Sequence, residues 1–192
     1  MNIIQIGAND GDDEVYELIS SNRDKISKAV LIEPIPYCIP ALQNRYAEIK
    51  NVYIENIAIT NNPDIKEQTF YYINESNYQV SSLKKQHLTD HGVEDKLIRS
   101  ISVNCLTISN IVDKYDIRNL DFLVIDAEGY DYEIIKSIDF GKCNIKCIKF
   151  ESMHIDGVHR KEQRYTDLIL FLGSMGYNVG DPQGLNTTAI KK

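Results

Sequence analysis

The chain has 192 residues, 43% hydrophobic and 26% charged, an ordinary composition for one globular domain with its own core. Its formal net charge of −7, from 28 acidic against 21 basic residues, repels a phosphate backbone, and with no Lys/Arg-rich run nucleic acid is not an expected partner. No window holds the roughly 18 apolar residues of a membrane span and no basic-then-apolar leader opens the chain, so a cytoplasmic location is expected.

In chain order, NIIQI at 2–6 has the apolar run of a buried strand, and 12–20 follow with Val15, Leu18 and Ile19 at helical spacing. AVLI at 29–32 is a second strand, closed by Glu33-Pro34. Pro36 then opens a helix carrying Ile39, Leu42 and Tyr46 on one face. VYIE at 52–55 is a third strand and TFYYI at 69–73 an additional one. Residues 74–100 are polar and without clear period, the signature of a binding loop or lid. Alternation resumes at 101–105, and 107–115 has a helical pattern. DFLVI at 121–125 is the strongest strand, followed by a helix at 131–138, a strand at 145–150 and a helix at 161–175. Short segments at 177–179 and 187–190 read as a closing antiparallel hairpin. Cys38, Cys105, Cys143 and Cys147 form no CxxC pair and are expected as unpaired structural thiols.

Alternating strands and helices imply βαβ units, and hence a mostly parallel α/β sheet covered on both faces. Such sheets bind ligands beyond the carboxyl ends of their strands. After the first strand comes Gly7-Ala8-Asn9-Asp10-Gly11, where glycine and asparagine permit positive φ and let backbone N–H groups approach a ligand. The spacing is not G-x-G-x-x-G, and Asp10, Asp12 and Asp13 would repel a pyrophosphate, so a nicotinamide dinucleotide oxidoreductase is the weaker reading. Glu33 lies 22 residues beyond Gly11, the separation that suits a ribose diol. After the fourth strand stand Asp126 and Glu128, two carboxylates at the mouth of a buried strand, and after the fifth Glu151 and His154. His154, with an unperturbed pKa near neutrality, is a candidate general base.

Five stretches together resemble class I S-adenosylmethionine-dependent methyltransferases of the FkbM-like family: IGANDG, LIEPIP, IENIAIT, SSL at 81–83, and LDFLVIDAEGYDYEIIKSID followed by IKFE. The resemblance implies a Rossmann-like single domain, a seven-stranded sheet with a C-terminal antiparallel hairpin, and S-adenosyl-L-methionine as cofactor. It implies that Gly7, Ala8, Asn9, Asp10 and Gly11 wrap the methionine part and that Glu33 holds the ribose. Asn56 and Ile57 would flank the adenine, and Asp126 would lie near the methionine amino group and the transferred methyl. Glu128 and Tyr130 would face the acceptor, a hydroxyl of a sugar, glycan or other natural product. Gln5 departs from the family, many of whose members carry an acid there. The chain also opens directly at its first strand, so cover for the cleft is expected from 74–100, a neighbouring domain, a partner or a dimer mate.

On this reading Glu128 or His154 removes the hydroxyl proton and no metal is required. A divalent cation held by Asp126, Glu128 and His154 is the lesser variant. A non-catalytic adenosyl-binding or assembly module of the same fold is the alternative from another class.

Overall fold

A computed structural model describes residues 1–74 and 80–192. Its main sheet has seven strands in the order β3-β2-β1-β7-β8-β10-β9. They are β1 (Asn2–Ile6), β2 (Lys28–Ile32), β3 (Val52–Glu55), β7 (Asn119–Ile125), β8 (Asn144–Glu151), β9 (Tyr177–Val179) and β10 (Asn186–Lys191). The first five run parallel; β10 is antiparallel to both β8 and β9, as the hairpin expectation had it. The strand order reverses at β1, which pairs β2 on one side and β7 on the other, so the switch point lies beyond Ile6.

The central strands are apolar on both faces because both are covered. Ile4, Ile6, Val30 and Ile32 turn toward the larger core with α4 (Ile108–Lys114), α5 (Asp131–Lys136) and α6 (Gln163–Ser174). Ile3, Ala29 and Leu31 turn to a smaller core with α1 (Glu14–Ser21) and α2 (Ile39–Tyr46). Local chemistry starts the helices where expected: Thr107 and Asn110 form a capping box on α4, and Asp13 caps α1 by accepting from the Val15 and Tyr16 N–H groups. Gln5, buried among apolar neighbours, donates from Nε2 to Asp13 Oδ2 at 2.5 Å and so supports that cap from inside the sheet.

A separate three-stranded sheet, β4 (Ala58–Ile59), β6 (Arg99–Leu106) and β5 (Glu67–Tyr72), was not expected as a unit. Its β4 has two residues, too few to carry a period, and is held by pairing with Cys105 and Leu106. Within 74–100 the structure has α3 (Lys85–Asp90) and a single helical turn at Asp95–Leu97, while 75–79 of that expected lid lie outside the described residues. A bridge between Tyr71 and Ser82 pins the start of this segment to β5. The four cysteines are free. Among the described residues no helix is long and apolar enough to cross a membrane.

Candidate functional site

The loop leaving β1 is built for close approach. Gly7, Asn9 and Gly11 have φ of 79°, 47° and 77°, and the Gly7 and Ala8 N–H groups both donate to Ile32 O. A Cβ on Gly7 would lie 1.9 Å from the Asp126 carbonyl oxygen, so only glycine lets this loop lie against the end of β7. Gly11 has a different reason. A Cβ there would meet Leu42 and Tyr46 of α2 at 2.8 and 2.9 Å, which makes Gly11 a helix-packing residue outside the cleft lining.

Glu33 is 5% exposed at the end of β2. Its Oε2 accepts from the Asn9 N–H at 2.8 Å and its Oε1 from the Ile35 N–H at 2.7 Å, joining the β1 loop to the β2 loop. Burial, opposed by these two bonds, pushes its carboxyl up to about 7. Asn56 donates from its side-chain amide to the carbonyls of Glu33 and Pro34; it braces the turn from behind and does not line the cleft.

Between the strand ends lies a cleft of about 230 Å³. Of the residues singled out in the sequence, Gly7, Ala8, Asn9, Asp10, Glu33, Ile57, Asp126 and Glu128 line it; Gly11, Asn56 and His154 do not. Its lining is in part apolar, with Ile35, Ile57, Phe70 and Leu83, and in part acidic, with Asp10, Asp13, Asp126 and Glu128. Asp126 lines this cleft and is exposed. Its carboxyl is pushed up to about 7, first by loss of solvent and then by Glu128, Asp13 and Glu14.

Beyond Asp126 the chain turns through Glu128 and Gly129, with φ of 48° and 82°. This turn is clamped by the 80–100 segment. Ser82 Oγ donates to Glu128 O and Lys84 Nζ to Gly129 O, each at 2.8 Å, and His87 Nε2 lies 2.9 Å from Glu128 Oε2. Burial raises the Glu128 carboxyl to about 7 and lowers the His87 imidazole to about 4. Asp131, 1% exposed, takes the Ala127 N–H on one oxygen and the Glu151 N–H on the other, both at 3.2 Å, and so locks the ends of β7 and β8 together. Glu151 is driven up to about 10 by burial and by Glu128, Asp126 and Asp131.

His154 is buried, not solvated. Its Nε2 lies 3.4 Å from Glu151 Oε1, its Nδ1 accepts from the His159 N–H at 3.2 Å, and burial lowers its imidazole to about 4. Sequence reasoning missed His87, His91 and Asp131. The one available signal was the four-residue spacing of His87 and His91, which puts two imidazoles on one side of a helical turn.

The family model for the methyltransferase FkbM domain matches residues 5–179. Among curated proteins none matches by sequence. The fold is similar to that of methyltransferase FkbM from Methylobacillus flagellatus (TM-score 0.55, 15% identity), which covers 98% of this chain while this chain spans 43% of that protein. It is also similar to a chain of the fibrillarin/Nop5p complex (TM-score 0.52, 12% identity, 100% of this chain and 72% of that one). A third likeness is to precorrin-6y C5,15-methyltransferase from Geobacter metallireducens (TM-score 0.50, 14% identity, 100% and 80%). At these identities the solved structures speak for the fold.

Proposed function

Because the chain belongs to the FkbM methyltransferase family, whose methyl donor is S-adenosylmethionine, we propose that it methylates a hydroxyl of a sugar, glycan or other natural product. The observation that carries the reading is Glu33: a nearly buried residue of the cleft lining, each carboxyl oxygen fixed by one backbone N–H. Such a group binds a vicinal diol. The rest of the lining fits an adenosyl sulfonium, with apolar Ile35, Ile57 and Phe70 for a base and Asp10, Asp13 and Asp126 for a cation.

S-Adenosylmethionine supplies an electrophilic methyl group when bound. The chain's own residues do the rest. The β1 loop and Glu33 hold the nucleoside, Asp126 offers its carboxylate to the amino acid part, and Glu128 takes the acceptor's proton. Glu128 is the better placed base because it lines the cleft and titrates near neutrality, with His87 at its back; His154 lies behind Glu151. The segment 80–100 forms the acceptor side of the cleft through Ser81 and Leu83.

The test is binding followed by turnover. At a hundredfold over Kd, S-adenosylmethionine or S-adenosylhomocysteine adds about 2.7 kcal/mol. That raises the melting midpoint by roughly 5–11 °C; NAD should leave it in place. With a glycoside acceptor, Glu128→Gln should retain the shift and lose about 10²–10⁴-fold in turnover. No shift with either adenosyl compound overturns the reading, and a shift without turnover on any hydroxyl acceptor points to a binding module.

A further inference from the structure

Beside the cleft the structure gathers a second constellation that shares Glu128 with the methyl-transfer site and adds Glu151 and the histidines, which methyl transfer leaves unused. All four histidines of the chain come together from two segments far apart in sequence. His87 and His91 are 4.4 Å apart between ring centres, His91 and His154 4.7 Å, and His154 and His159 5.1 Å. Glu128 and Glu151 reach the same place from the ends of β7 and β8.

We propose that Glu128, Glu151 and His154 form a binding site for one divalent first-row transition metal ion. One ligand atom from each lies within 4.8 Å of the other two, so a single ion can touch all three; this is the group with that property among the described residues. The second observation is independent of that spacing. Glu151 is 5% exposed, yet its Oε2 has no hydrogen-bond partner among the described residues. A buried carboxylate oxygen left bare is costly, and every other feature of Glu151 is held: its N–H by Asp131 and its Oε1 beside His154 Nε2. An ion supplies the missing partner.

The donor set selects the class of ion. Two carboxylates with an imidazole suit zinc, manganese, iron or cobalt, whereas magnesium and calcium favour oxygen alone. Supporting contacts of the usual kind are present: His87 Nε2 contacts Glu128 Oε2, fixing that carboxylate. His91 donates from Nδ1 to His87 O, which leaves its Nε2 with a lone pair beside the His154 ring. Binding displaces the Glu151 proton, which burial and the neighbouring acids hold up to about 10, and it has a second cost. His154 must present an unprotonated Nε2, so Nδ1 takes the proton and the contact from the His159 N–H is given up. The 154–159 turn therefore rearranges on loading.

The site rests on its own geometry and not on the methyl donor, and the test keeps the two apart. Chelator-stripped protein is titrated with Zn²⁺, Co²⁺ and Mg²⁺ by calorimetry, without any adenosyl compound. The expected result is one equivalent of Zn²⁺ or Co²⁺ and at least tenfold weaker Mg²⁺. Glu151→Gln and His154→Gln should each weaken Zn²⁺ by tenfold or more, and His87→Gln by a smaller factor. The melting shift with S-adenosylhomocysteine, measured on each variant, reports that it is folded with its cleft intact. Failure to bind Zn²⁺ or Co²⁺, binding unchanged in both ligand variants, or Mg²⁺ held equally well overturns the metal site and leaves the methyltransferase reading standing.

Discussion

Two glutamates close parallel strands of this sheet, each 5% exposed, and their surroundings are opposite. Glu33, at the end of β2, has both oxygens satisfied by backbone N–H groups of the loops it joins. Glu151, at the end of β8, faces one imidazole and leaves an oxygen bare. Main-chain donors are always present and carry no charge of their own, so the Glu33 pocket is complete once the loops fold. The Glu151 pocket is made of side chains, three of them acids that repel it. The first is a ready receptor for neutral hydroxyls; the second crowds acids that hold on to their protons, and an external cation would take the place of those protons.

Gly7 belongs to both sides, and replacing it should give the largest effect. Its N–H donates to Ile32 O just before Glu33, and its α-carbon abuts the Asp126 carbonyl. In Gly7→Ala the left-handed backbone adds about 1–2 kcal/mol, and displacing a backbone atom from 1.9 Å adds to it. A loss of ~3 kcal/mol or more is expected in urea unfolding, together with loss of the adenosyl melting shift. Near-wild-type stability would mean that the two sides are not pressed together at this seam.

The next effect isolates Glu33. Its folded carboxyl titrates near 7 against 4.5 for the free group. Between those values the folded protein holds a proton that the unfolded chain has released. Its contribution to stability is therefore greatest below about pH 4.5 and falls as pH rises to about 7. Glu33→Gln does not titrate. Measured in urea without ligand, wild type should lose up to ~3 kcal/mol relative to this variant between pH 4.5 and 8. A difference independent of pH would show that the two N–H donors keep Glu33 ionised. At pH 8 the variant should also bind S-adenosylhomocysteine about tenfold or more weakly, since the amide nitrogen cannot accept from a hydroxyl.

A smaller effect is expected where side chains do the holding. Ser82 Oγ donates to Glu128 O and accepts the Lys84 N–H, fully buried. Ser82→Ala strips the clamp on the Glu128 turn and should cost about 1–2 kcal/mol, roughly 2–8 °C in melting midpoint. Turnover should fall while adenosyl affinity holds. A change in affinity with turnover intact would assign the turn to the cofactor side instead.

The same contrast explains what could be read from sequence. Gly7, Glu33 and Asp126 were visible because each stands directly after an apolar strand, where topology alone puts ligands. Glu33's partners are backbone and need no particular residue. The Glu151 side was mostly hidden. His87 reaches Glu128 through a six-residue helix too short to show a period, and Asp131 reads as an ordinary acid of a helix first turn. Gly11 and Asn56, both expected at the ligand, lie outside the cleft lining: α2 packs on one, and the other turns its amide to the carbonyls of Glu33 and Pro34. Seven strands and the hairpin followed from period and punctuation. The three-stranded sheet did not, since β4 exists only through its pairing.

The smallest effect probes whether acidity at the β1 loop acts on the donor's charge. Arg45 donates from Nη1 to Asp12 Oδ1 at 3.0 Å and from Nε to Asp10 O at 3.1 Å, and its guanidinium lies 5.4 Å from the Tyr16 ring centre. With Asp12 74% exposed, the pair should contribute less than about 1 kcal/mol to stability. Its electrostatic effect is separable because S-adenosylmethionine carries a sulfonium and S-adenosylhomocysteine does not. Arg45→Ala leaves the Asp10–Asp13 group without its cation, and unit charges about 10 Å apart interact by ~0.4 kcal/mol in water. The affinity ratio of the charged to the neutral compound should therefore rise about twofold at 10 mM salt, where screening extends over about 30 Å. At 150 mM, with a screening length of about 8 Å, the gain should shrink toward nothing. Looser loop backbone would weaken both compounds alike and leave the ratio untouched. A ratio that stays fixed at low salt would assign sulfonium attraction to Asp126 and its neighbours at the β7 end, leaving the loop acids to serve the fold through the Asp13 cap.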